Sequence, residues 1–372
     1  MVEPELSFYG EFLPNVSTLT GSIWPIDKLP AHLALLNRSQ FYVKQNDSPD
    51  SVMRYFELPA NVVKDQEISL LNNCMVDIGT NVMTFRIKAE RQHDRRPHDV
   101  VQVQVPLSAV ELTQAAAVEC GNGHELFVRG LRFLDLPSEN WHELLDYWHC
   151  HKPEHEHHGN HGHNHHHHDY HDNNDNHGSS AISKEELYPR ESLGLVGSAY
   201  LTTVLSDIPG TKVRDREVEC KECGMQLGTL HKKNNNVAKI YKWNMKLQGQ
   251  ASPAKFEVFI SAILLGIIGF HASYHFTFAN SSDKDSPRVL VWVFNTDVTY
   301  ATSETDKVNR AIKVLYDLAP EPALIEKVQP EAIDFAEKTV TALIESLQKT
   351  NDCLPDSMKR FDTWQVGLLC RM

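Results

Sequence analysis

Cysteine is scarce in this chain and odd in number: there are seven in 372 residues, with one tight pair, Cys220 and Cys223. That usage excludes a disulfide framework and points to a reducing compartment in which thiols serve metal ligation. Basic residues are also in deficit, 36 Lys and Arg against 49 Asp and Glu, for a net charge of -13. Such a balance argues against direct nucleic-acid binding and suits solubility or basic protein partners. No apolar run reaches the roughly 20 residues of a membrane helix. The longest, residues 256–270, contains Glu257 and reads as a buried core helix, with no membrane partner. The start, Met1-Val2-Glu3-Pro4-Glu5, lacks a basic n-region and an apolar h-region, so the expected compartment is the cytoplasm, with access to the nucleus. No Ser-His-Asp, Cys-His or paired-carboxylate constellation stands out either.

A chain of this length exceeds what one core usually serves, so two packed subdomains are expected. Residues 1–135 read as a β-rich lobe, sandwich or open barrel: the segments 81–88 and 100–105 alternate apolar and polar side chains, as half-buried antiparallel strands do. Residues 136–153 read as a short helix: Ser138 is its N-cap, Trp141, Leu144, Leu145 and Trp148 follow at helical steps, and Cys150-His151 lies at its end. The tryptophan face packs inward or meets a partner. Residues 154–180 form a His-rich insert with too little apolar surface to order itself. It is either a metal- or pH-responsive tract or a repeat-expanded loop.

Residues 181–372 read as a mixed α+β lobe. Helices are expected at 182–187, 188–205, 306–318 and 330–347, and strands at 239–247, 274–278 and 288–294. The fold class is therefore α+β, an N-terminal antiparallel β lobe joined to a C-terminal mixed lobe.

Cys220-Lys221-Glu222-Cys223-Gly224 has the form of a zinc knuckle, because two thiolates three residues apart can grip one tetrahedral ion while glycine lets the backbone turn beneath them. The alternative is two unrelated core cysteines.

The block at 136–153, together with Cys220-Lys221-Glu222-Cys223-Gly224-Met225, Ala311-Ile312-Lys313-Val314-Leu315-Tyr316 and Leu354-Pro355-Asp356-Ser357-Met358, resembles the HECT-like ubiquitin-conjugating-enzyme-binding family of proposed ubiquitin ligases. Relatives carry a second Cys-x-x-Cys just upstream of the Leu-Pro-Ser-Glu block; its counterpart here is Cys120-Gly121-Asn122-Gly123-His124, with glycine in place of the second cysteine. The resemblance implies a structural zinc held by Cys120, Cys150, Cys220 and Cys223, with His124 and His151 as alternates, stapling the two lobes together.

The same resemblance implies two functions. One is ubiquitin transfer from a loaded conjugating enzyme to a protein lysine, with ubiquitin and that enzyme as partners. A covalent version needs a nucleophilic cysteine, and Cys353 is the candidate, although the adjacent Asp352 opposes thiolate formation. The other is a non-catalytic factor that stabilises the messenger-RNA 3′-end cleavage endonuclease.

Overall fold

The computed structural model describes residues 5–26, 29–49, 51–63, 74–77, 79–90, 105–136, 188–231, 234–280, 283 and 286–372. The expected strand at 100–105, the helix at 136–153, the His-rich insert and the helix at 182–187 lie outside these residues, but for Val105 and Leu136. The chain divides into two compact units, the first made of Met1–Pro106 and Pro253–Met372, the second of Leu107–Ser252.

The first unit opens with strands β1 (Ser7–Leu13), β2 (Thr18–Trp24), β3 (His32–Leu35), β4 (Gln40–Lys44), β5 (Arg54–Glu57), β6 (Asn61–Val62), β7 (Cys74–Asp77) and β8 (Val82–Glu90). The second contains helix α1 (Ala109–Gln114) and strands β9 (Val118–Cys120), β10 (Arg132–Asp135), β11 (Leu193–Val196), β12 (Tyr200–Val204), β13 (Thr211–Arg214), β14 (Glu217–Cys220), β15 (Gln226–His231), β16 (Asn234–Tyr241) and β17 (Met245–Leu247). The chain then re-enters the first unit with α2 (Phe256–His271), β18 (His275–Ala279), β19 (Arg288–Thr302), β20 (Thr305–Asp317), α3 (Pro322–Val328), β21 (Glu331–Asp334), α4 (Glu337–Asp352), β22 (Arg360–Phe361) and β23 (Trp364–Cys370).

The first unit holds a large sheet, in the order β22-β23-β20-β19-β1-β2-β8-β6 with β18 branching from β19, β21 from β18 and β7 from β8, and a small sheet β3-β4-β5. The seam is β1 against β19, where Tyr9 faces Thr302 and Phe12 faces Thr299. β8 keeps the alternation read at 81–88: Phe85, Ile87 and Ala89 are buried while Arg86, Lys88 and Glu90 are exposed. Its core interlocks Phe8, Phe41, Phe56 and Phe85, with Phe8 and Phe41 edge to face at 5.0 Å.

Helix α2 confirms the buried reading of residues 256–270 in its first half, where Phe259, Ile260, Ala262, Ile263 and Leu264 are buried. The Ser261 hydroxyl donates to the carbonyl of Cys370 at 2.8 Å, anchoring α2 on β23. Helix α4 buries Val340, Leu343 and Leu347, each contributing about 1.5–3 kcal/mol of apolar transfer. Among the described residues no helix is long and apolar enough to cross a membrane.

The large sheet alters the expected organisation. A boundary at residue 135 does not separate two lobes, because β1 and β2 share a sheet with β19, β20 and β23, while Cys120 belongs with β14 and β15 in the second unit. Sheet partners far apart in sequence carry no local signal.

Three expected helices change character. Residues 306–318 form β20, a central strand between β19 and β23; Ala311, Ile312, Val314, Leu315 and Tyr316 are all buried, so the run is apolar on both faces and its helical spacing is incidental. Residues 188–205 form β11 and β12, joined by a turn in which the Gly197 N–H bonds the Tyr200 carbonyl. The segment 330–347 begins as β21, whose parallel pairing with β18 captures residues 331–334 before α4 starts at Glu337. The strands expected at 239–247, 274–278 and 288–294 are present as β16 with β17, β18 and β19.

Candidate metal centre

Two turns in the second unit carry the cysteines. The first closes after β9: the Cys120 N–H bonds the His124 carbonyl at 2.9 Å and the Gly123 N–H bonds the Cys120 carbonyl at 2.8 Å. The second links β14 to β15: the Cys220 N–H bonds the Met225 carbonyl at 2.8 Å and the Gly224 N–H bonds the Cys220 carbonyl at 2.9 Å. Gly123 and Gly224 have φ of 89° and 72°, a left-handed conformation that is cheap for glycine and lets each turn fold back under its ligands.

β9 is held by antiparallel pairing with β17, where Cys120 faces Met245. Gly210 joins the two turns, since its N–H bonds the Leu126 carbonyl and its own carbonyl accepts from Lys221. Leu126, Val118, Val218, Leu227 and Met245 bury the back of the site in a common core with Cys120 and Cys220.

The ligand atoms of Cys120, His124, Cys220 and Cys223 all lie within 4.8 Å of one another. The Cys120 and Cys223 sulfurs are 3.9 Å apart, and Cys120 Sγ lies 3.3 Å from His124 Nδ1. A tetrahedral zinc with ordinary Zn–S and Zn–N bonds sets edges of roughly 3.8 Å and 3.5 Å, so the spacing fits that ion. Three thiols and one imidazole are also the borderline-soft donor set that zinc accepts.

One main-chain and one side-chain donor point at these sulfurs. The His124 N–H donates to Cys120 Sγ at 3.4 Å and the Asn122 amide donates to Cys223 Sγ at 3.4 Å. Burial works to raise the Cys223 pKa, but hydrogen bonds from Asn122, the Met225 N–H and the neighbouring thiols outweigh it and bring Cys223 down to about 6. Cys220, shielded from water, is raised by that burial. Cys120 and Cys220 are buried and Cys223 is exposed, so the site opens to solvent on the Cys223 side.

Of the expected ligands, the structure thus brings together Cys120, Cys220 and Cys223, and adds His124 from the alternates. Cys150 and His151 lie outside the described residues. The four clustered groups all belong to Leu107–Ser252, so an ion here ties two turns of one unit and is not the expected staple between lobes. Asn122 escaped notice, since an amide between two candidate ligands carries no metal signature of its own.

The remaining described cysteines are in the first unit. Cys353 is the C-cap of α4, where the helix gives way to the following loop. Its thiol donates to the Lys349 carbonyl at 3.3 Å and to Glu304 Oε2 at 3.2 Å. Burial, the Glu304 hydrogen bond and the charges of Glu304 and Asp352 push it up to about 12, with only Lys349 opposing. Cys74 is pushed up to about 11 by burial, and Cys370 Sγ lies 3.8 Å from the Tyr300 hydroxyl.

The chain is similar to several proteins. An uncharacterized protein of Saccharomyces cerevisiae is 28% identical over 240 residues, 63% of this chain and 62% of that protein, so the chain spans just under two thirds of this relative. An uncharacterized protein of Schizosaccharomyces pombe is 22% identical over 284 residues, 72% of this chain and 78% of its own. The E3 ubiquitin-protein ligase E3D of Mus musculus is 23% identical over 323 residues, 77% of this chain and 78% of that protein. No solved structure matches. The description HECT-like ubiquitin-conjugating enzyme (E2)-binding matches residues 11–366, a span that takes in both cysteine turns and the central strand β20. The chain belongs to the HECT-like ubiquitin-conjugating enzyme (E2)-binding family.

Proposed function

We propose that this protein binds a ubiquitin-loaded conjugating enzyme and promotes direct passage of ubiquitin to lysines of protein substrates, without a thioester of its own. The observation that carries this reading is the match over residues 11–366 to a family described by its conjugating-enzyme binding. The ligase name of the mouse relative points the same way.

The non-covalent form follows from Cys353. Burial and the Glu304 carboxylate push its pKa up to about 12, so at neutral pH it stays a thiol, whereas the thiolate is the attacking species. A scaffold instead accelerates transfer by orienting the loaded enzyme, which needs no activated group. Cys120, His124, Cys220 and Cys223 would hold a structural zinc; the bound ion would supply cross-linking of the two turns and no chemistry on ubiquitin.

Purified protein, ubiquitin, activating enzyme and a panel of conjugating enzymes test this. Expected are faster discharge of at least one conjugating enzyme onto lysine, no reductant-sensitive ubiquitin adduct on this chain, and unchanged discharge by Cys353→Ala. A Cys353-dependent adduct would replace the scaffold with a covalent mechanism. No acceleration with any enzyme of the panel would remove the ligase reading.

A further inference from the structure

A cavity of about 690 Å³ opens in the first unit, lined by Glu5, Leu6 and Ser7, by residues 52–56, and by Ser303 and Glu304. Two open strand edges border it. β5 is the outer strand of the small sheet β3-β4-β5, and no strand among the described residues pairs with its far side. The Leu58 N–H bonds the Ser39 carbonyl, and Phe41 faces Phe56 while Tyr42 faces Tyr55. In an antiparallel ladder bonded pairs alternate with non-bonded ones, so the main-chain groups of Tyr55 and Glu57 point away from β4. Across the cavity, β1 runs back past the end of β19: the Ser303 N–H bonds the Phe8 carbonyl, and Glu5–Ser7 extend beyond that contact.

The side chains complete a recognition surface. Val52, Met53 and Tyr55 are exposed large apolar groups on this rim, the kind of free edge that native sheets normally blunt with charge or cover. The lining holds two carboxylates, Glu5 and Glu304, and one guanidinium, Arg54, and so carries a net negative charge; Glu304 Oε2 also accepts from the Cys353 thiol at 3.2 Å.

We propose that this groove binds an extended polypeptide segment bearing a lysine, whose backbone adds to the outer edge of β5 and whose ammonium is taken by Glu5 and Glu304. The assignment rests on the ligase reading for its biological meaning: the bound segment is the part of the substrate that presents an acceptor lysine. Main-chain pairing supplies affinity without demanding a fixed sequence, while the carboxylates select the cation.

Binding is measured on the full chain with no ubiquitin or other enzyme present, so that its outcome is independent of whether transfer occurs. The probe is a short fluorescein-labelled peptide of serine, valine and threonine with one central lysine, compared with the same peptide acetylated on that lysine. Expected are measurable anisotropy for the lysine peptide and a loss of about tenfold in affinity, either on acetylation or in Glu5→Gln/Glu304→Gln. Tyr55→Pro removes an outward N–H while keeping the ladder to β4, and Tyr55→Ala removes the same ring but keeps that N–H. The proline variant should bind at least about fivefold more weakly than the alanine variant, with both showing the same urea-unfolding midpoint.

Equal affinity of the two peptides, an unaffected double glutamine variant, or equal binding by the proline and alanine variants would overturn the assignment. Peptide binding that behaves as expected beside absent ubiquitin transfer would leave the groove standing and remove the ligase reading. Transfer without groove-dependent peptide binding would do the reverse.

Discussion

The sulfur of Cys120 lies 3.9 Å from that of Cys223, 103 residues along the chain. His124 completes the group through the longer reach of its ring, one residue past the glycine that stands where a second cysteine is expected. The first turn therefore offers one thiol and one imidazole, and the second offers two thiols.

This composition predicts metal content. Protein lacking residues 155–177, which removes the competing histidines, should carry about one equivalent of zinc by elemental analysis. Cys150→Ser should retain it and His124→Ala should fall below half. The opposite pattern would make Cys150 the fourth ligand.

Chelation should act on one unit only. All four ligands lie in Leu107–Ser252, and metal affinity in such sites is part of the folding free energy. Amide exchange after zinc removal should accelerate in that unit, with the strands of the large sheet protected as before. Uniform loss of protection across both units would refute the local role.

Gly210 offers a way to disturb the centre without touching a ligand. A Cβ there would meet the Glu125 carbonyl oxygen at 2.2 Å, a contact that forces the backbone of the first turn away from the second. Gly210→Ala should cost more than about 3 kcal/mol and weaken zinc binding, read by competition with a chromophoric chelator. Wild-type zinc affinity in this variant would show that the two turns do not depend on that contact.

In the large sheet, Glu11 accepts a 2.7 Å bond from Lys313 and another from the Tyr9 hydroxyl, with Glu11 and Lys313 largely withdrawn from solvent. Lys313→Met strands a buried carboxylate and should destabilise the protein by about 3–5 kcal/mol in urea unfolding, whereas Glu11→Gln/Lys313→Met should recover much of that. Additive losses would mean that the pair is not coupled.

Thiol reactivity should follow the charges around each cysteine. A pKa raised to about 12 leaves Cys353 protonated through neutral and mildly alkaline pH, so its thiolate fraction keeps climbing with pH up to that value. Alkylation of Cys353 by iodoacetamide, followed by mass spectrometry, should rise about tenfold per pH unit from pH 7 to 10. In Glu304→Gln the same rates should be reached at lower pH, because both a hydrogen bond to the thiol form and a negative charge are weakened. A plateau near pH 9 in the unaltered protein would contradict this setting.

Local chemistry was readable wherever it depended on neighbours in sequence. The Cys220 and Cys223 turn, the alternation of β8 and the apolar run of α2 each state their structure within a few residues, because turn geometry and side-chain period act at that range. Tertiary packing decided the rest. Whether Ile312, Val314 and Leu315 made helix or strand depended on β19 and β23 being there to bond both edges of β20. Which group joined the three cysteines depended on β9 being held by β17 and on Gly210 drawing the turns together. Those contacts join residues scores of positions apart, and it is their energy, absent from any local window, that selected among the conformations each segment could have taken.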